Sequence, residues 1–261
     1  MKAMILAAGR GERMMPLTAD TPKPMLAVNG KPLLQYHIEN LKQAGFTEIV
    51  INHAWCGEKI VEYFGNGESF GVNITYSDES SGALETAGGI IKALPLLVEQ
   101  PEECFLVVNG DVFCPFDYQT LAVLPKQLEA CLYLVDNPEH NKKGDFELQP
   151  QNEYSLVTNK TLTNKTATNK TQAQSHLTNT TYTFSGIAVY RASFFSNYIN
   201  GESLTDTRNI LPLGGLLREA AQQQLLQGIK LTSPWVDVGT PARLLTLNNE
   251  LITRENKLLR N

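Results

Sequence analysis

Two glycines, two cations and two distant carboxylates are the residues of this chain best suited to chemistry. Ala8-Gly9-Arg10-Gly11-Glu12-Arg13 follows a short apolar run, Met4 to Ala8. Glycine has no Cβ and accepts positive φ, so such a bend can close tightly on a ligand. Successive backbone N–H groups in the bend form a concavity for anions. Arg13 and Lys23 bring positive side chains to the same stretch. Arginine offers a planar fork to phosphate oxygens and lysine a compact charge. The combination suits a polyphosphate. Asp111 follows the apolar run Cys104 to Val108, and Asp237 precedes the helix start Thr240-Pro241. Two carboxylates meeting phosphate oxygens make the all-oxygen ligand set that Mg²⁺ prefers.

The elements that must position these residues follow from periodicity. Met4 to Ala8, Glu48 to Asn52, Val72 to Tyr76 and Cys104 to Val108 read as strands. Between them, Leu34, Ile38 and Leu41 form a helical stripe, Gly57 to Phe64 a short helix, and Glu85 to Leu94 a third. Alternating strands and helices predict a parallel sheet with crossover helices. The expected class is α/β, a Rossmann-like mixed, mainly parallel central sheet flanked by helices. Ligands of such sheets bind beyond the carboxyl ends of the strands. The glycine bend, Ser81 to Gly89 and Asn109-Gly110-Asp111 should therefore share one rim. Further strands are expected at Ala130 to Val135, Gly144 to Leu148 and Tyr182 to Tyr190, with Ser185-Gly186 inside the last. Leu211 to Ala221 and the stretch after Thr240 read as helices.

The 261 residues are expected to form a single domain. Within it, residues 158–181 hold a five-residue repeat, Thr-Asn-Lys-Thr-x, with almost nothing apolar to bury. A solvent-exposed surface loop without catalytic role is the expectation. A net charge of −5 argues against a general nucleic-acid or membrane-surface binder. No window approaches the ~18 apolar residues of a membrane span, and no secretion signal is visible. The cysteines Cys56, Cys104, Cys114 and Cys131 lack C-x-x-C spacing and read as reduced core thiols of a cytoplasmic protein. His37, His53, His140 and His176 show no metal spacing. Monomer and dimer are equally open.

Two familiar phosphate motifs do not fit. Gly11 is followed by Glu12-Arg13, not by the Lys-Ser/Thr of a P-loop. Met14 occupies the third glycine position of the dinucleotide fingerprint, and the Leu33 to Ile38 stretch lacks the ribose-binding acid.

A longer string does fit a pattern. Gly9-x-Gly11-x-Arg13-Met14-x-Pro16-Leu17-Thr18, with Pro22-Lys23-Pro24-Met25-Leu26, resembles the opening motif of sugar-phosphate nucleotidyltransferases. The likeness continues through Leu84-Glu85-Thr86-x-Gly88-Gly89, Val108 to Asp111, Asn137-Pro138 with Gly144-Asp145-Phe146, Thr183 to Ile187 and Trp235 to Thr240. With Val50 to Trp55 it looks most like the N-acetylmuramate 1-phosphate uridylyltransferases of bacterial peptidoglycan recycling. The resemblance implies the nucleotide-diphospho-sugar transferase fold, UTP and a sugar 1-phosphate as substrates, and Mg²⁺ as cofactor. It implies nucleotide contacts at Ala8, Gly9, Gly11, Glu12, Arg13, Lys23 and Gly88, with Arg13 and Lys23 as the catalytic cations. Asp111 and Asp237 would hold the metal, and Asn109, Gly144 and Ser185 the sugar. Met15 stands where this subgroup carries arginine, and the repeat lengthens a loop near the sugar side. Glucose-1-phosphate thymidylyl- or uridylyltransferases and mannose-1-phosphate guanylyltransferases are the nearest alternatives. A non-catalytic sugar-nucleotide sensor should have lost a cation or metal carboxylate; Arg13, Lys23, Asp111 and Asp237 are all present.

Overall fold

Side-chain alternation along the apolar strands puts both faces of one sheet in the protein interior. The computed structural model describes residues 1–82, 84–160, 180–196, 198 and 210–258. In chain order the elements are β1 (Ala3–Leu6), β2 (Ala27–Val28), β3 (Lys31–Pro32), α1 (Leu33–Gln43), β4 (Glu48–His53), α2 (Gly57–Phe64), β5 (Asn73–Asp78), α3 (Glu85–Leu97) and β6 (Cys104–Asn109). There follow β7 (Val112–Phe113), β8 (Ala130–Val135), β9 (Phe146–Pro150), β10 (Ser155–Asn159), β11 (Thr181–Arg191), α4 (Ser193–Ser196), α5 (Leu213–Gln222), β12 (Leu226–Lys230), β13 (Val236–Asp237) and α6 (Pro241–Leu258). Among the described residues no helix is long and apolar enough to cross a membrane.

Nine strands join in the order β5-β4-β1-β6-β11-β8-β12-β10-β9. β1 runs parallel to β4 and β6, and β4 parallel to β5. β11 inserts antiparallel between β6 and β8, while β12 is parallel to β8. All but β10 and β11 run in one sense, so the mixed, mainly parallel sheet matches the sequence reading. Successive residues of a strand face opposite ways. Accordingly Ala3, Ile5, Ile49, Ile51, Leu106 and Val108 pack against Leu34, Ile38 and Leu41 of α1 and Ile60 and Phe64 of α2. Their neighbours Met4, Val50, Phe105 and Val107 pack on the other side against α3 and α5.

A third, smaller core fixes the phosphate bend. Met14 is fully buried with Leu26, Val28, Leu33, Phe113, Val238, Leu244 and Leu247. The residue that breaks the dinucleotide fingerprint therefore pins the bend to β7, β13 and α6. Met14→Ala is expected to lower stability by about 2–5 kcal/mol, the range for truncating a buried methionine. Urea unfolding checks it; a loss under 1 kcal/mol would mean the bend is not anchored here.

Two expectations change. The predicted loop at 158–181 begins and ends in strands, since Thr158 and Asn159 belong to β10 and Thr181 opens β11. Residues 161–179, with His176 among them, lie outside the described residues, as does Ala83. All four cysteines are free, but only Cys114 and Cys131 are core; Cys56 and Cys104 are half-buried. Burial pushes the Cys114 and Cys131 thiols up to about 12, so both stay protonated. His37 is a neutral core ring, its pKa lowered to about 4 by burial.

Candidate functional site

β1 ends at Leu6, and the chain leaves the sheet into the bend. Its exit is fixed by side chains at the ends of β4 and β5. Ala7 N–H donates to Asn52 Oδ1 (2.8 Å), and Asn52 Nδ2 donates to Glu79 Oε1 (2.7 Å). Gly11 adopts left-handed backbone geometry, φ 68° and ψ 35°. A Cβ there would meet Lys23 Cβ and Thr18 Cγ2, each at 3.1 Å. Glycine's freedom is thus used at Gly11, whereas a Cβ on Gly9 would face open space. Thr18 Oγ1 donates to Gly11 O (2.8 Å) and closes the loop. Trp55 Nε1 donates to Thr18 O (3.1 Å), tying the loop to the end of β4.

Lys23 is 7% exposed, and its Nζ donates to Asp111 Oδ2 at 2.5 Å. Asp111 sits one residue before β7, a two-residue strand that pairs antiparallel with β13. Asp237 lies opposite Val112, and Val238 N–H donates to Asp111 O (3.0 Å). This short ladder brings the backbones of Asp111 and Asp237, from opposite halves of the chain, together. Asp237 Oδ2 accepts from Arg243 Nη1 (2.7 Å) and lies 3.2 Å from His140 Nε2.

A cavity of about 650 Å³ opens at this rim. Its lining includes Ala8, Gly9, Lys23, Asn109 and Asp111, which the sequence singled out. Asn52, Trp55, Glu79, Glu85 and Arg10 also line it. Asn52 ends a predicted strand, the signal that would have found it, whereas Glu79 lies three residues beyond the predicted end at Tyr76 because β5 runs on to Asp78. Burial raises the Glu79 carboxyl above its ordinary range, and the Asn52 hydrogen bond offsets only part of this. The folded state therefore holds that proton more tightly than the unfolded chain. Its stabilising effect is complete below the ordinary carboxyl pKa and lost as pH rises through the folded value. Glu79→Gln should melt higher than wild type near pH 8, with no gain near pH 4; equal melting at both would refute this.

Arg10 lies over the Trp55 ring, 4.9 Å from its centroid. At an exposed position such a contact is worth about 0.5–1 kcal/mol. Its other contact, Glu12, is 3.9 Å away and solvated, a pair worth ~0–1 kcal/mol.

Other expected site residues stand elsewhere. Glu12 and Arg13 are exposed on a single 3₁₀ turn and do not line this cavity. Gly88 is buried in α3, and its N–H donates to Leu211 O (3.2 Å), so that donor faces protein, not nucleotide. Gly144 has φ 61°, and a Cβ on it would strike Asn137 Oδ1 at 2.6 Å. Ser185 is fully buried, its Oγ accepting from Ile187 N–H (3.2 Å) and its carbonyl from Trp235 Nε1 (2.8 Å). It stands at the bulge of β11, where Gly186 (φ 80°) lets Asn109 approach; a Cβ would lie 2.7 Å from Asn109 Cγ. The Ser185-Gly186 pair thus shapes the support for Asn109.

Comparison with known proteins identifies the family. The chain is 48% identical over 248 residues to the N-acetylmuramate alpha-1-phosphate uridylyltransferase of Neisseria meningitidis, covering 94% of this chain and 95% of that one. It is 36% identical over 181 residues to the UTP–glucose-1-phosphate uridylyltransferase of a Synechocystis species, covering 60% of this chain and 46% of that one. A Bacillus anthracis crystal structure, described as a glucose-1-phosphate thymidylyltransferase in complex with a sucrose, shares the fold. Its TM-score is 0.72 at 23% identity, over 95% of this chain and 94% of that one. The nucleotidyl transferase family model matches residues 2–254. The chain belongs to the nucleotidyl transferase family.

Proposed function

We propose that this protein transfers UMP from UTP to a sugar 1-phosphate, with N-acetylmuramate 1-phosphate as the acceptor. The observation that carries the reading is the cavity lined by Ala8, Gly9, Lys23, Asn109 and Asp111, with the β7–β13 ladder bringing the backbone of Asp237 up to that of Asp111. The 48% identity to the Neisseria uridylyltransferase supports the choice of base and sugar.

In the reaction a phosphate oxygen of the sugar 1-phosphate attacks the α-phosphorus of UTP in line. A new P–O bond forms as the bond to pyrophosphate breaks. The nucleophile is already an anion, so no general base is needed. The demand on the protein is to bring two polyanions together and stabilise charge on the α-phosphate and leaving group. The bend at Ala8, Gly9 and Gly11 would cradle the triphosphate with backbone N–H groups. Lys23, rigid through burial, would neutralise the α-phosphate. Arg13 and Glu12, on the exposed 3₁₀ turn, would reach the phosphates only by side-chain movement toward the cavity. Glu79 offers an acceptor for the imide N–H of uracil. Asn109 and Gly144 would face the sugar, with Ser185 acting through the backbone it holds.

The donor set fits a divalent ion. Asp111 and Asp237 would supply carboxylate oxygens from adjoining backbone positions. Among the described residues no group of three or more His, Cys, Asp or Glu could form a metal cage. Mg²⁺ is typically held by one or two carboxylates, with water and substrate phosphates completing the octahedron. Bound there, the ion would supply positive charge against the α-phosphate and leaving group.

The test is a matrix of four nucleoside triphosphates against several sugar 1-phosphates, read by pyrophosphate release. UTP with N-acetylmuramate 1-phosphate should be the best pair. A better pair among the others would overturn the sugar or base assignment, and no release from any pair would overturn the transfer itself.

A further inference from the structure

We infer that Arg10 is a further nucleotide-binding residue, which leaves the face of Trp55 to grip the triphosphate at the cavity mouth. The inference rests on the cavity being the nucleotide site. Two cations line it among the described residues, Arg10 and Lys23. Lys23 is buried and held by Asp111 at 2.5 Å. Arg10 has no comparable attachment. Its side chain is 66% exposed, with a solvated carboxylate at 3.9 Å and an indole ring at 4.9 Å. Both contacts are weak in water.

Arg10 also emerges from the bend itself, between Gly9 and Gly11. Backbone donors aimed at a phosphate would share it with this guanidinium. A planar fork engaging two phosphate oxygens is a stronger partner than either present contact. Trp55 serves as the platform. Its indole N–H holds Thr18 O, and Thr18 Oγ1 holds Gly11 O, so ring and bend form one hydrogen-bonded unit. The ring keeps the guanidinium beside the mouth. Arg13, by contrast, stands outside the cavity wall.

The test uses the full chain with Arg10→Ala, Arg10→Lys and Trp55→Phe. Affinity is measured by calorimetry with UTP plus Mg²⁺ and with uridine. Arg10→Ala should weaken UTP by about tenfold or more, the scale of one lost charge-assisted hydrogen bond. Uridine, which carries no phosphate, should change less than about twofold on the same reasoning. Lysine keeps the charge but not the fork, so Arg10→Lys should recover only part of the loss. In turnover, KM for UTP should rise more than kcat falls. Tryptophan emission gives a second readout. Subtracting the Trp55→Phe signal isolates Trp55, whose emission should change on UTP addition in wild type and not in Arg10→Ala. Wild-type affinity for UTP in Arg10→Ala overturns the inference alone. An unchanged emission response in that variant overturns the transfer from the ring. Failure of the wild-type chain to bind UTP overturns the nucleotide reading, and this inference with it.

Discussion

Asp111→Asn should lower kcat by about a thousandfold, as should Asp237→Asn, with UTP binding weakened far less. Each change removes one negative charge and keeps the side chain's shape. Losing one preorganised electrostatic contact to the transition state costs roughly 10²–10³ in rate. A carboxylate that also holds the metal should reach the top of that range or pass it. The two variants should differ in stability. Asp111→Asn leaves the buried Lys23 ammonium facing a neutral amide. Breaking a fully buried pair costs about 3–5 kcal/mol. Asp111 keeps 36% side-chain exposure, so a loss of roughly 1–3 kcal/mol is expected instead. Asp237→Asn keeps a hydrogen-bond acceptor for Arg243, whose side chain is 23% exposed, and should lose less. Single-turnover kinetics paired with urea unfolding separates the effects. A variant that folds like wild type and retains a tenth of its kcat would remove that residue from the metal role.

Lys23→Met should cut kcat/KM by about 10²–10³, on the same electrostatic scale. Methionine fits the buried stem but carries no charge, so Asp111 would lose its partner and the α-phosphate its nearest cation. Lys23→Arg should not rescue. The lysine stem runs beside Gly11, where even one added Cβ would sit 3.1 Å from it. A larger, planar head group in a slot 7% exposed must displace the bend. If arginine restores activity, a diffuse positive charge suffices and the compact, positioned ammonium is not required.

Much of the site was readable because strand ends are readable. The bend, Lys23, Asn109 and Asp111 follow from glycine spacing, local charge and an apolar run that stops. The same rule, applied to the Glu48 to Asn52 strand, points at Asn52; Glu79 is missed because β5 runs past the predicted end at Tyr76 to Asp78. Asp237 is different. What brings it to Asp111 is a ladder of two residues on each side, too short to leave a periodic signature. Gly88 fits a motif, yet its N–H meets Leu211 O, a contact between distant segments that no local pattern encodes. Ser185 looks like a polar residue available to a ligand. The bulge of β11 turns its hydroxyl onto its own backbone. Arg13 and Arg10 are three positions apart, and a single 3₁₀ turn decides which one lines the cavity. Thr158 and Asn159 look like repeat, but they pair with Glu147 and Phe146 of β9. In each case tertiary pairing settles what composition leaves open.

The account depends on Asp111 and Asp237 sharing one divalent ion with the triphosphate. Anomalous diffraction from crystals grown with UTP and Mn²⁺ tests it most directly. A manganese peak at coordination distance from an oxygen of each carboxylate and from a phosphate oxygen is the predicted result. A phosphate-bound manganese with either carboxylate outside its coordination shell would contradict it.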